Sequence, residues 1–372
     1  MNAASFFSGD YAMARGRFRE AAAALGWELL SYPIDAREPN GAELTIDVAI
    51  GQGDATDSAL VISSGIHGVE GFFGSAVQLS LLRGWAGQRD ARPAVRVVLL
   101  HGLNPFGFAY RRRFNEKNVD LNRNLLLEGE AFRGSPQGYA ELDRLLNPER
   151  PPSAWEPVTL KFLMAIARYG MPALKQAVAS GQYDYPKGLF YGGDRPSCTS
   201  EILSSQFDRW LGHSLRVMHF DFHTGLGAWA TWKLLIDYPL TEEQRGWLSC
   251  CFGPDAFEAN DPNKTAYTVR GSFGRWCVSR ARGRDYLYAA AEFGTYKPTQ
   301  VLGGLRAENQ AHHWGRPEEA TTERAKQQLV ELFCPRSESW RAQVLKQSSE
   351  LVKQAIDRLP DATKGPGKNA LA

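Results

Sequence analysis

The chain predicts one α/β domain: a mixed, mostly parallel sheet flanked by helices, with a helical insertion. Three stretches carry this. "ALVISSG" (59–65) and "AVRVVLLHG" (94–102) are near-continuous β-branched and leucine runs, the pattern of strands buried on both faces. Between them, "GFFGSAVQLSLLRGW" (71–85) repeats Phe72, Ala76, Leu79 and Leu82 at helical spacing, completing a strand–helix–strand unit. Open parallel sheets bind ligands beyond the carboxyl ends of their strands, which directs attention to the residues just after each run.

The other elements follow in order. Helices are expected at 8–26, 157–180, 199–212, 319–333 and 337–359, and further strands at 44–50, 216–222, 233–238 and 285–293. The last helix sets Trp340, Val344, Leu351, Ala355 and Leu359 on one face, so it packs on the domain, and Pro335 separates it from the helix before. Segment 126–215, with "NPERPPSAWEP" and "YPKGLFYGGDRPS", reads as a helical insertion into a domain covering 1–360. The polar end, 361–372, is expected to be a flexible tail.

Composition narrows the function classes. A formal charge of +2 over 372 residues gives no basic character for nucleic acid or anionic membranes. There is no 18-residue apolar stretch, and the opening residues lack the apolar run of a signal peptide. The five cysteines show no framework spacing, which fits reduced thiols in a cytoplasmic protein.

The chemistry-bearing residues fall at strand ends. "GIHGVE" places His67 and Glu70 after strand 59–65, and "DFHTG" places His223 at the end of strand 216–222. Two imidazoles and a carboxylate with an open fourth position make a catalytic zinc set, but the short H-x-x-E spacing also suits two polar residues ending a core strand. The loop after strand 94–102 collects Arg111, Arg112, Arg113, Asn122 and Arg123. Such a run is a solvated basic loop or a carboxylate clamp, for which arginine and asparagine are suited. Glu292 closes the apolar strand "DYLYAAAEF", either as a surface glutamate or as a buried general base. His101 reads as structural, and His312-His313 as an exposed loop pair. No G-x-S-x-G is present, so serine catalysis is not indicated.

Taken in order, "GIHGVE", "NPFGFAY", "VDLNRN", "DFHT" and "AEFG" resemble the signature series of the carboxypeptidase A superfamily of zinc peptidases, and most closely its bacterial domain-of-unknown-function branch. The resemblance spans roughly 59–300. It implies a zinc carboxypeptidase-like fold, one Zn2+ per chain on His67, Glu70 and His223, and Glu292 as general base. Asn122 and Arg123 would hold a terminal carboxylate, and Arg113, or alternatively Arg112, would polarise the scissile carbonyl. Tyr267, in "AYTVRGSFG", corresponds to the superfamily's mobile tyrosine, and Phe273 would make the terminal side-chain pocket apolar. Departures exist: Phe106 stands where aspartate is common, and the stretch between Arg113 and "DLNRN" is short. "DFHT" and E-x-G are also similar to the succinylglutamate desuccinylase/aspartoacylase type of deacylase. The resemblance therefore implies a metallocarboxypeptidase-like hydrolase acting on a small peptide, or alternatively a deacylase acting on an N-acyl amino acid. A non-catalytic peptide-binding relative would have lost a ligand or the base, and all four residues are present.

Overall fold

A computed structural model describes residues 2–53, 55–87, 92–153, 156–170, 180–259 and 269–359. Among them, eight strands form one sheet: β1 (Glu28–Arg37), β2 (Glu43–Gly51), β3 (Ala55–Ser64), β4 (Val95–His101), β5 (Arg216–Thr224), β6 (Trp232–Ile236), β7 (Phe257–Ala259) and β8 (Asp285–Phe293). Their order is β1-β2-β4-β3-β5-β8-β6-β7. The four central strands, β4, β3, β5 and β8, run parallel, while β1, β2 and β6 are antiparallel to their inner neighbours. The expected mixed, mostly parallel sheet is therefore present, and the carboxyl ends of β3, β5 and β8 lie along one edge.

The helices are α1 (Tyr11–Ala24), α2 (Gly71–Gly87), α3 (Pro105–Ala109), α4 (Tyr139–Leu146), α5 (Val158–Tyr169), α6 (Cys198–Leu211), α7 (Glu242–Phe252), α8 (Phe273–Ser279), α9 (Pro298–Trp314), α10 (Ala320–Phe333) and α11 (Glu338–Arg358). Because side chains alternate along a strand, the sheet has two distinct interiors. On one face, Phe222 and Phe293 meet Phe73 of α2, which also touches Trp340 of α11. On the other, Tyr286 and Tyr288 meet Phe207 of α6 and Phe273 of α8. This second face is unusually polar for a core. Cross-strand register sets Ser63 beside Asp221, His219 beside Tyr288 and His223 beside Glu292.

Segment 126–215 divides between two layers. α4 and α5 join α9 and α10 in a separate apolar cluster with Leu189 and Phe190, whereas Leu203, Phe207 and Trp210 of α6 belong to the main core. Seven elements were not anticipated, β1, α3, α4, α7, β7, α8 and α9, of which β1, α7 and α9 are the longest. β1 is an edge strand with alternating burial and Pro33 within it, which masks a strand pattern. α7 has a mixed sequence, Glu242–Phe252, whose only buried residues are Leu248 and Cys251. α9 buries Arg306, Glu308, Asn309 and Gln310, so its inner face carries little apolar periodicity. His312-His313 accordingly occupies the last turn of that helix instead of an exposed loop. Of the expected helix 157–180, residues 171–179 lie outside the described residues, as does the tail. No helix among the described residues is long and apolar enough to cross a membrane.

Candidate metal centre

After Ser64 the chain turns through Gly65, at φ 69°, and reaches His67 before a 3-10 turn, Gly68–Glu70, leads into α2. Gly68 is obligatory here, since a Cβ would stand 2.1 Å from the backbone of Gly107. The close approach lets the neighbouring loop hold this one: Gly68 N–H donates to Arg113 O (3.1 Å) and Val69 N–H to Arg112 O (2.7 Å). Asn104 fixes that loop in turn, its Oδ1 accepting from Gly107 N–H (2.8 Å) and its Nδ2 donating to Arg113 O (3.0 Å). The "GIHGVE" and "NPFG" stretches are thus two halves of one brace.

The structure brings His67, Glu70 and His223 together. Their ligand-type atoms all lie within 4.8 Å of one another, and all three side chains are buried. Glu70 Oε1 is 2.9 Å from His67 Nδ1 and its Oε2 is 2.8 Å from His223 Nδ1. The far nitrogen of each ring meets a buried aspartate: His223 Nε2 lies 2.6 Å from Asp221 and His67 Nε2 3.3 Å from Asp120. Two nitrogens and a carboxylate fit zinc, and a carboxylate behind each imidazole fixes the ring so that Nδ1 faces the shared point. Asp221 also accepts from Ser63 Oγ (2.6 Å) and Tyr288 OH (2.9 Å), and Ser63 Oγ touches His219 Nε2 at 2.7 Å.

Electrostatics agree with this arrangement. Burial raises the Glu70 carboxyl, but His67 and His223 outweigh it and hold its pKa well below the usual range. Burial lowers His223, yet Asp221 and Glu70 lift it well above an ordinary histidine. Glu292, 8% exposed, behaves oppositely to Glu70: burial, then the neighbouring Glu70 charge, push it up to about 7. Its Oε1 accepts Leu226 N–H at 2.9 Å. One site thus holds two carboxylates whose surroundings drive their pKa values apart.

The arginine loop separates into different tasks. Arg113 reaches the cluster, with Nε 3.0 Å from Asp120, Nη1 3.5 Å from Glu70 and Nη2 2.6 Å from His67 Nε2. Arg123 is buried, donates Nη1 to Asn122 O (2.6 Å), and has its Nε without a partner among the described residues. Asn122 Oδ1 accepts Phe273 N–H (2.9 Å), tying this loop to α8. Arg112, expected as the alternative to Arg113, has different surroundings. It is fully buried, bound to Glu308 (2.8 Å) and Asn118 (2.9 Å), and its backbone carbonyl supports the His67 loop instead. Replacing Glu308 by glutamine removes a wholly enclosed partner and is expected to cost about 3–5 kcal/mol. Denaturant unfolding measures this, and a loss below 1 kcal/mol would argue that the pair is dispensable.

Phe273, expected to line a side-chain pocket, is fully buried against His219 and Tyr288. Tyr267 lies outside the described residues. His101 is buried, stacked on Phe18 and bonded to Ser75, as a structural histidine. Asp120 and Asp221 are not among the expected site residues, although they lie in "VDLNRN" and "DFHT". The signal for Asp221 is its i, i+2 relation to His223, which puts both on one strand face.

The architecture is similar to that of bovine thrombin-activatable fibrinolysis inhibitor, solved with tick carboxypeptidase inhibitor: TM-score 0.53 at 11% identity, covering 96% of this chain and 98% of that one. The fold is carboxypeptidase-like. Weaker similarity extends to carboxypeptidase A from Helicoverpa armigera (TM-score 0.44, 11% identity, 87% and 73% coverage) and to murein-tripeptide amidase MpaA from Escherichia coli O157 (0.37, 18%, 78% and 93%). The model of the family described as "Protein of unknown function (DUF2817)" matches residues 7–347, and the chain belongs to that family. No curated protein matches significantly.

Proposed function

We propose that this chain is a zinc-dependent hydrolase cleaving an amide bond next to a free carboxylate, in the manner of a metallocarboxypeptidase. The observation that carries the reading is the convergence of His67, Glu70 and His223 beside Glu292, its register partner on the adjacent strand. Zinc held by those three residues would supply Lewis acidity at the scissile carbonyl. Glu292, poised near neutrality, takes a proton from the attacking water and passes it to the leaving amine. His67 Nε2 cannot serve both of its neighbours: as an N–H it donates to Asp120, and only as a lone pair does it accept from Arg113. Ligation through Nδ1 selects the first, which leaves Arg113 Nη2 to stabilise the developing oxyanion.

The clamp rests on Arg123. A buried guanidinium with an unpartnered Nε is costly, and a carboxylate is the group whose geometry it matches. Asn122 holds the loop beside it. A peptide and an N-acyl amino acid both present this carboxylate next to an amide, so both are substrates under the same reading. The test compares free-acid and C-terminally amidated forms of one substrate with zinc-loaded protein. Losing a charge-assisted hydrogen-bond pair is expected to lower kcat/KM about 10–100-fold. Equal cleavage of the two forms would overturn the clamp.

A further inference from the structure

We propose that the acyl half of the substrate is apolar, aliphatic or aromatic, and that Leu226 and Trp229 form the shelf that receives it. This deepens the hydrolase reading and rests on it. The shelf belongs to the loop joining β5 to β6, residues 225–231. In it Leu226 is 51% and Trp229 43% exposed. Single exposed apolar residues are common and need no explanation. These two differ in being held on a rigid support that is continuous with the proposed base.

The support is a set of backbone contacts. Gly225 N–H donates to Phe293 O (3.2 Å), Ala230 N–H to Gly294 O (3.0 Å) and Gly294 N–H to Thr231 O (2.8 Å). Gly225, Gly227 and Ala230 all take positive φ, at 124°, 106° and 54°. The loop lies so close to β8 that a Cβ on Gly294 would fall 1.8 Å from Ala228 O, which accounts for the glycine in "AEFG". Trp340 Nε1 bonds Gly294 O (2.9 Å) from behind. Trp229 is braced edge-on against Tyr296, ring centroids 5.3 Å apart. Leu226 N–H is the group that donates to Glu292 Oε1.

A shelf built this way is preorganised, so covering it costs little ordering. An apolar group resting there gains by leaving water and also shields the Leu226–Glu292 hydrogen bond. The charge distribution points the same way. The loop "GLGAWAT" carries no charged residue, and the next cation along the chain, Lys233, pairs with Glu258 at 3.2 Å. An acyl group with its own carboxylate, such as succinyl, therefore meets no counter-charge on this loop. Arg113 and Arg123, the cations assigned to the substrate, lie on the other side, where the leaving amino acid's carboxylate is placed.

The experiment uses zinc-loaded full-length protein and one amino acid bearing N-acetyl, N-octanoyl, N-benzoyl or N-succinyl groups, read by released amine. The expected kcat/KM for octanoyl or benzoyl exceeds that for acetyl by about tenfold or more, with succinyl below both. Trp229→Ser and Leu226→Ser are each expected to lower the octanoyl-to-acetyl ratio at least about fivefold. Circular dichroism and zinc content identify any variant that fails to fold, and the two variants stand in for each other. Preference for succinyl, or a ratio unmoved in both folded variants, overturns the shelf while leaving the hydrolase reading intact. No turnover of any member overturns the hydrolase reading and the shelf with it.

Discussion

Replacing Glu292 by glutamine is expected to lower turnover about 10²–10⁴-fold while one zinc ion per chain stays bound. Glutamine keeps the shape and still accepts Leu226 N–H through its side-chain oxygen, so the shelf loop stays in place. What it loses is the ability to take a proton. The sign of the pH dependence follows from the same group. Burial and Glu70 raise the carboxyl to about 7, and below its pKa it is protonated and cannot act as a base. The wild-type kcat/KM should therefore fall as pH drops through that limb, which a bound dication draws lower by favouring the charged form. A variant turning over at near-normal rate would remove Glu292 from the mechanism. One that lost zinc as well would show that its contribution is to hold the site together.

The second large effect is metal loss. His67→Ala and His223→Ala each delete one of three donors and are expected to reduce bound zinc to a small fraction of one per chain, measured by elemental analysis after gel filtration. Asp221→Asn provides a graded comparison. It keeps all three donors but weakens the partner of His223 Nε2, and disturbing such a partner lowers metal affinity about 10–100-fold. The order of loss, ligand variants well below the aspartate variant, separates direct ligation from general destabilisation. Asp221 and Glu70 raise the pKa of His223, so metal uptake is expected to compete with its proton and to weaken as pH falls. Full zinc occupancy in both histidine variants would place the metal elsewhere.

The local rules behind the elements explain how much of this was legible in the chain. Buried parallel strands are long apolar runs, and helices facing a core repeat every three to four residues, so β3, β4, β5 and α2 read directly from their residues. The strand ends followed, and with them His67, Glu70, His223 and Glu292. β1, α7 and α9 did not, because an edge strand containing proline and helices with polar or sparsely buried faces lack the periodicity that identifies them.

Residue type and spacing alone therefore determined the fold class, six of the eight strands and a short list of groups able to hold a metal or move a proton. Tertiary structure decided which members of that list meet. Arg112 and Arg113 are adjacent and chemically identical, yet one is enclosed by Glu308 on α9 and the other reaches Glu70 and Asp120. Phe273, expected to line a pocket, is packed in the core. Asp120 and Asp221 gain their importance only from the rings they stand behind. Each of these outcomes depends on contacts between residues far apart in sequence. Such contacts are set by strand register and by how closely two backbones approach, as where Gly68 admits Gly107, and neither is written in the local pattern.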